Sequence, residues 1–288
     1  PLSTWHALNT LQEAREACGG QGFLAENRLT ALRADMDIYV TFEGDNNVLL
    51  QLVAKRLLTD YSRKFKDADT GTLARLVMEQ VTERAVTGSG LRRLGQNVHD
   101  RGSTARAVNE LRDPEVQRDL LTDRVETIIA EIALDLRDAK KSGTEAEVFN
   151  QKQSQLIEAA SAHGHLLQWE AFTDALSRIE DEGTKQVLTW VRDLFGLHTI
   201  EKNLSWYLIK GRLSAQRAEA VTAYVDRLIT RLRTHAQDLV DSFGYGPEHL
   251  RAEHHLAHVD RADAAPEAQH GVGLISTTRG SPAPAPAR

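Results

Sequence analysis

Apolar residues recur at helical spacing over long stretches of this chain, and this pattern most constrains its fold. The stripe between residues 47 and 65 consists of Val48, Leu49, Leu52, Val53, Leu57 and Leu58. Residues that break helices are scarce, with 7 Pro and 19 Gly in 288 residues, and aromatic residues make up 6%. β-sandwiches and barrels need frequent turns and strands rich in aromatic or β-branched residues. The sequence therefore predicts an all-α helical bundle.

Local signals place two long helices in the middle of the chain. The run Asp113-Pro114-Glu115 combines an N-cap aspartate with a proline at the first helical position, and it predicts a helix to about Lys141. Its core stripe is expected to contain Val116, Leu120, Leu121, Val125, Ile128, Ile132 and Leu136. Thr144, with a glutamate three residues later, starts a second helix that runs toward Ile179. An irregularity is expected within it at His163-Gly164-His165.

Further helices are predicted over residues 185–195, 197–208 and 214–243. The last of these carries Val221, Val225, Leu228 and Leu232 on one face. After Ala264 the composition shifts to Ala, Pro, Gly, Ser and Thr, which predicts a disordered tail over residues 264–288.

Charge and composition exclude several classes of partner. The chain has 35 Lys plus Arg against 41 Asp plus Glu, a net charge of −6, so a nucleic-acid partner is not expected. There is no apolar run of about 18 residues, so no membrane partner is expected either. His254, His255 and His258 lack the glutamate position of a zinc-binding HExxH helix, so no metal site is expected. The single cysteine favours a reducing compartment. Starting at Pro1 with no secretory leader, the sequence suggests a processed product or a fragment.

One region departs from the helical pattern. Residues 18–46 contain three close glycines (Gly19, Gly20 and Gly22), an extended-looking run at residues 38–42, and the sequence Glu43-Gly44-Asp45-Asn46. Glu43 follows an apolar stretch, so partial desolvation would make it a stronger base. Asp45 or Asn46 would cap the following helix and create an anion site beside it. The alternatives are a simple first-turn glutamate and a simple glycine C-cap.

Together these segments resemble a known family. The stretch ALNTLQEAREACGGQGFLAENRL (residues 7–29) and the stretch DIYVTFEGDNNVLLQLVAKRLL (residues 37–58) are similar to the C-terminal helical region of acyl-CoA oxidases and acyl-CoA dehydrogenases. The order and spacing of ACGGQGF, ENR and TFEGDNNVLLQ make the resemblance specific. Beyond residue 65 the long helices and FGYGPEHL look like the extra α-domain of the oxidases.

The resemblance implies the chemistry. In that family the glutamate of TFEGDN, here Glu43, removes the α-proton of an acyl-CoA thioester while a β-hydride passes to FAD, which yields a trans-2-enoyl-CoA in fatty-acid β-oxidation. The GGxG segment lies against FAD, often that of the neighbouring subunit, and corresponds to Gly19, Gly20 and Gly22. Residues after the base also approach the cofactor and correspond to Gly44, Asp45 and Asn46. A homodimer or homo-oligomer is implied, with oxygen or an electron-transfer flavoprotein as electron acceptor.

Three units are expected along the chain. Residues 1–66 would end the catalytic helical domain, residues 67–263 would form the oxidase-type helical domain, and residues 264–288 the tail. The family's N-terminal helical domain and middle β-domain are absent before Pro1, so this chain alone is expected to bind FAD poorly and to be inactive. The alternative is a non-catalytic helical dimerisation or interaction module. The sequence Pro-Ala-Arg at residues 286–288 is not the Ser-Lys-Leu address, which favours a cytoplasmic location, or a peroxisomal one in a eukaryote.

Overall fold

The computed structural model describes residues 1–67, residues 104–246 and His249. Its helices are α1 (Leu2–Ala17), α2 (Leu29–Tyr39), α3 (Asn46–Asp67), α4 (Thr104–Leu111), α5 (Pro114–Ser142), α6 (Glu145–Gln151), α7 (Gln153–Leu176), α8 (Glu182–Glu201), α9 (Leu204–Ile209), α10 (Ala215–Leu232) and α11 (Ala236–Asp241). Short 3₁₀ helices span Gly19–Phe23, Ala25–Asn27 and Arg233–His235. No strand occurs among the described residues, and the predicted all-α class is confirmed.

None of the described helices combines the length and the apolar character needed to cross a membrane. Within the same residues no group of three or more His, Cys, Asp or Glu side chains is arranged to hold a metal ion. The predicted disordered tail and the histidines His254, His255 and His258 lie outside the described residues.

In the described part of the chain the hydrophobic core has two parts that share α5 and α7. One part lies among α3, α5 and α7 and contains Leu50, Ala54, Ile128, Ile129, Ile132, Leu156, Ala159 and Ala160. The other lies among α4, α5, α7, α8, α9 and α10, around Trp169, Leu197, Tyr207, Val221 and Leu228. We call helices α3 to α10 the bundle.

Helix α5 and the packing face of α10 form as predicted. The Asp113 side chain accepts a hydrogen bond from the Glu115 backbone N–H at 2.9 Å and caps α5, which ends at Gly143 in a left-handed conformation. The buried side of α5 contains Leu121, Val125, Ile128 and Ile132. The four apolar residues that were predicted to share a face of α10 are all buried.

Two predicted helix breaks are wrong because the glycines make room for neighbouring side chains. Helix α7 runs uninterrupted through Gly164, where an added Cβ would lie 2.6 Å from Leu2 Cδ1. Helix α8 likewise runs through Gly196, where a Cβ would lie 2.7 Å from Trp169 Nε1. The actual breaks fall at Lys152 and near Asn203, without glycine or proline.

Two other boundaries also differ from prediction. The last long helix ends at Leu232 and is followed by a 3₁₀ turn and the short α11, so the single helix to residue 243 is wrong. Helix α3 forms where predicted, but Leu50 and Ala54 face the core while Val48 and Leu52 are exposed. The packing face of α3 is therefore rotated relative to the predicted stripe, and an apolar edge remains on the surface.

Candidate active site

The glycine segment follows α1 directly, as a 3₁₀ helix at Gly19–Phe23. Gly19 has a φ of +54°, a conformation that favours glycine. Gly22 is buried against α1, where a Cβ would lie 2.1 Å from the Arg15 carbonyl oxygen. Gly20 has neither constraint, since an added Cβ would meet nothing within 4 Å. The chain itself therefore requires glycine at positions 19 and 22, while position 20 leaves open space at the surface.

The segment that contains Glu43 is a turn and not a strand. Helix α2 extends to Tyr39, and a turn over residues 40–44 connects it to α3, so the predicted extended run at residues 38–42 is wrong. Glu43 has a φ of +60° and Gly44 a φ of +117°. A left-handed conformation at a non-glycine residue costs roughly 1–2 kcal/mol. The turn therefore holds the Glu43 backbone in a conformation that local preferences alone would not select.

Glu43 is exposed in this chain, and so are its neighbours Tyr39 and Phe42, whose rings meet edge to face at 6.3 Å between centroids. The expected partial desolvation of Glu43 is therefore not found within the described residues. The local sequence was apolar, but the apolar rings lie on the surface and do not cover the carboxylate.

The residues after Glu43 build the start of α3. Asp45 is the N-cap, because its side chain accepts a hydrogen bond from the Asn47 backbone N–H at 2.8 Å. Asn46 is buried, and its side-chain amide donates to Thr4 Oγ1 at 2.9 Å and to the Pro1 carbonyl oxygen at 3.2 Å. Asn46 thus joins the start of α3 to the start of α1, and its side chain is engaged within the chain.

The predicted site residues fall into two groups at opposite ends of α1. Glu43, Gly44, Asp45 and Asn46 lie near the first turn of α1, through the bonds of Asn46, whereas Gly19, Gly20 and Gly22 follow its last turn. A helix of 16 residues is about 24 Å long. The structure brings together the members of each group but does not bring the two groups together.

The sequence also missed a polar cluster inside the bundle. Gln117 is fully buried, donates to the Leu111 carbonyl oxygen at 2.8 Å and to Asp193 Oδ1 at 3.1 Å, and accepts from Trp169 Nε1 at 3.2 Å. Burial raises the pKa of Asp193, and the Arg192 guanidinium, 2.9 Å away, opposes this rise. These groups satisfy one another, so the cluster is part of the packing of α5, α7 and α8.

Models of known protein families match two separate parts of this chain. A family model described as acyl-CoA oxidase, C-alpha1 domain, matches residues 1–58, and one described as acyl-CoA oxidase matches residues 113–253. Acyl-coenzyme A oxidase 2, peroxisomal, of Arabidopsis thaliana is 33% identical over 251 residues, which cover 86% of this chain and 34% of that protein. Peroxisomal acyl-coenzyme A oxidase 3 of Homo sapiens is 55% identical over 58 residues, 20% of this chain and 8% of that protein.

Solved structures with a similar fold carry related names. An acyl-CoA oxidase from Lycopersicon esculentum (tomato) superposes with a TM-score of 0.70 at 24% identity, over 87% of this chain and 36% of that one. Acyl-CoA oxidase-1 of Caenorhabditis elegans, crystallised with FAD and ATP, gives a TM-score of 0.66 at 18% identity, over 86% and 36%. This chain spans about a third of the length of the Arabidopsis relative.

Proposed function

The chain belongs to the acyl-CoA oxidase family, and from this premise we propose that it supplies the C-terminal helical part of an FAD-dependent acyl-CoA oxidase or dehydrogenase. The reaction would convert an acyl-CoA to a trans-2-enoyl-CoA in fatty-acid β-oxidation. We call this chain, together with the family's N-terminal helical domain and middle β-domain, the assembled enzyme. The observation that carries the proposal is the turn that presents Glu43 between α2 and α3, within the segment matched by the C-alpha1 model.

Glu43 is the proposed base. Its carboxylate would accept the α-proton of the thioester, and a fixed turn keeps that carboxylate in one place while the bond breaks. The exposure of Glu43 in this chain supports a site that is completed from outside, since a general base works best where water is excluded. Bound FAD supplies the chemistry that accepts the β-hydride.

We propose that the glycine segment lines one side of the FAD site, and we call it the glycine wall. Gly20 offers open space beside an exposed backbone, which fits a flat ring or a phosphate that approaches closely. Gly19 and Gly22 keep the segment in shape, while Gly44 and Asp45 form the second group of proposed cofactor contacts beside the base. Asn46 is proposed to act there through its backbone and its link to α1, because its side chain is already bonded.

The separation of the two groups supports an oligomer. Because about the length of α1 lies between Glu43 and Gly20, one copy of this chain would place its base and its glycine wall on different cofactors. We propose a homodimer or homo-oligomer in which the glycine wall of one copy meets the FAD of its neighbour. Oxygen or an electron-transfer flavoprotein would reoxidise the flavin.

We further propose that residues 1–66 complete the catalytic domain, that residues 67–263 form the oxidase-type domain, and that this chain alone binds FAD poorly and does not turn over acyl-CoA. The exposure of Glu43 supports this proposal. The length of the chain supports it too, since the chain spans about a third of the Arabidopsis relative. The name of the Arabidopsis relative supports the peroxisomal option for the compartment over the cytoplasmic one.

Glu43→Gln in the assembled enzyme tests the proposed base. We expect enoyl-CoA formation to fall by roughly 10²–10⁴-fold, because the amide cannot accept the proton, while assembly is unchanged. Glu13→Gln, at an exposed glutamate of α1, is the matched control and should keep the wild-type rate. An unchanged rate in Glu43→Gln, with assembly intact, would instead support the non-catalytic interaction module.

A pair of glycine variants tests the proposed role of the glycine wall in FAD binding. Gly20→Ala should leave the unfolding midpoint of this chain unchanged, since a Cβ has space there, but weaken FAD binding by the assembled enzyme. Gly22→Ala should destabilise the fold itself, because its Cβ would clash with the Arg15 backbone. FAD binding that is unaffected by Gly20→Ala would contradict the proposed wall.

A further inference from the structure

Asn27 is almost completely buried although it lies in a surface segment, at the end of the 3₁₀ helix Ala25–Asn27. Its side-chain amide donates to the Gln21 carbonyl oxygen at 2.8 Å and to Gln21 Oε1 at 3.2 Å. Both acceptors belong to one residue, so Asn27 fixes the backbone and the side chain of Gln21 at the same time. Gln21 lies between Gly20 and Gly22, in the middle of the glycine segment.

The orientation of the Asn27 amide follows from its partners. The Gln21 carbonyl oxygen only accepts hydrogen bonds, so the NH₂ group of Asn27 must face it. The other atom, Asn27 Oδ1, is buried and has no hydrogen-bond partner among the described residues. Leaving a buried carbonyl oxygen unpaired is costly, and the two hydrogen bonds that the Asn27 NH₂ group donates to Gln21 offset that cost.

The same geometry fixes the orientation of the Gln21 side chain. Gln21 Oε1 is turned toward Asn27, so Nε2 points away from it, and the residue as a whole is exposed. The amide therefore presents donor N–H groups from the glycine segment, beside the open space at Gly20. An FAD molecule carries acceptor oxygens on its pyrophosphate and on its ring system, and an oriented amide donor suits either.

We infer that Asn27 is a positioning residue that orients Gln21, and that the Gln21 side-chain amide donates a hydrogen bond to an acceptor oxygen of the flavin cofactor. This inference rests on the proposed function, because it requires that the glycine segment lines an FAD site. The inference goes beyond the proposed function, because it gives the glycine segment a specific hydrogen-bond donor and explains the burial of Asn27.

Two isosteric variants separate the contact from the positioning. Gln21→Glu keeps an acceptor for the Asn27 amide but has no donor, so the segment should keep its shape while FAD binding weakens. Asn27→Asp loses both hydrogen bonds to Gln21, because a carboxylate cannot donate, and turns a carboxylate oxygen toward the Gln21 carbonyl. The segment should therefore loosen, and FAD binding should weaken as well. Asn9→Asp, on the exposed surface of α1, adds the same charge elsewhere and is the control.

The readouts are FAD dissociation by the assembled enzyme and amide hydrogen exchange of residues 19–24 in this chain. We expect both variants to raise the FAD dissociation constant by about tenfold, the worth of one hydrogen bond. Exchange should accelerate in Asn27→Asp and stay at the wild-type rate in Gln21→Glu, and Asn9→Asp should match the wild type in both measurements.

The outcomes are distinguishable from those of the proposed function. If the wild-type assembled enzyme binds no FAD, the proposed function fails and the inference fails with it. If the wild type binds FAD and Gln21→Glu binds it equally well, the Gln21 contact is wrong whatever Asn27→Asp does. Equal exchange in Asn27→Asp and the wild type would overturn the positioning role.

Discussion

Two regions of this chain bury their apolar residues to very different extents. We call residues 1–45 the hairpin, which comprises α1, the 3₁₀ helices at Gly19–Phe23 and Ala25–Asn27, α2 and the turn at Glu43. The hydrophobic core begins at Leu50, and neither α1 nor α2 has a fully buried residue. The hairpin instead exposes Phe23, Leu24, Leu32, Ile38, Tyr39 and Phe42. The bundle packs a continuous core around α5 and α7.

The hairpin is attached to the bundle at one end. Leu2 contacts α7 at Gly164, Trp5 packs against the part of the core that lies among α3, α5 and α7, and Asn46 bonds to the first turn of α1. The other end carries the glycine segment. The bundle is therefore stabilised by its own core, whereas the hairpin leaves an apolar surface exposed within the described part of the chain.

A matched pair of leucine substitutions should give the largest difference between the regions. Leu228→Ala in α10 removes a fully buried side chain and should lower the free energy of unfolding by about 3 kcal/mol. Leu32→Ala in α2 removes a side chain that is 41% exposed and should cost less than about 1 kcal/mol. Urea unfolding of this chain measures both, and equal losses would contradict the comparison.

Asn46→Ala should produce the next largest effect, because it weakens the connection between the hairpin and the start of α3. The bonds of its side chain to Thr4 and Pro1 are lost, and we expect a cost of about 1–2 kcal/mol. Hydrogen exchange should accelerate in the first turns of α1 and stay slow in α5. Asn47→Ala, at an exposed neighbour, is the control. An equal effect there would show that the Asn46 side chain does not connect the hairpin to α3.

Tyr207→Phe should weaken the bundle by about 1 kcal/mol, because the buried hydroxyl donates to the Leu120 carbonyl oxygen at 3.0 Å. Tyr245→Phe, at an exposed tyrosine, should change nothing measurable. The two variants are compared by thermal unfolding. No difference between them would show that this link between α9 and α5 contributes nothing to stability.

Mild acid should produce the smallest effect, and it should act on the bundle. Burial lowers the pKa of His165, which lies against Phe195, and the cations Arg124 and Lys202 lower it further. The unfolded chain then binds this proton more readily than the folded one does. The stability is present above a pH of about 6.5 and is lost as the pH falls through the lowered pKa.

Denaturation of this chain between pH 7 and pH 5 checks this pH dependence. His165→Asn should reduce the slope of stability against pH but not remove it, because burial also lowers the pKa of His163. A slope identical to that of the wild type would show that His165 does not cause the effect.

The sequence predicted what local chemistry specifies. The Asp113 cap and the buried face of α10 depend on residues a few positions apart, and both formed as expected. The order and spacing of the glycine and TFEGDN segments identified the family. The predicted breaks at Gly164 and Gly196 are wrong, because local rules treat glycine as a helix breaker while tertiary contacts use it as space for Leu2 and Trp169.

The rest of the candidate site depended on information that lies outside its own segments. Residues 38–42 look like a strand by side-chain preference, but residues 38 and 39 end a helix that packs on α1. The exposure of Glu43 depends on what covers the turn, which a local pattern does not specify. The separation of Glu43 from Gly20 follows from how α1, α2 and α3 connect, and only the fold reveals it.

We propose that residues outside this chain cover the hairpin at both groups of proposed site residues. Amide hydrogen exchange, compared between this chain alone and the assembled enzyme with FAD, tests it most directly. We predict strong additional protection at residues 19–24 and 38–45 in the assembled enzyme, with little change in α5 and α7. Equal exchange at residues 19–24 and 38–45 in the two samples would contradict this proposal.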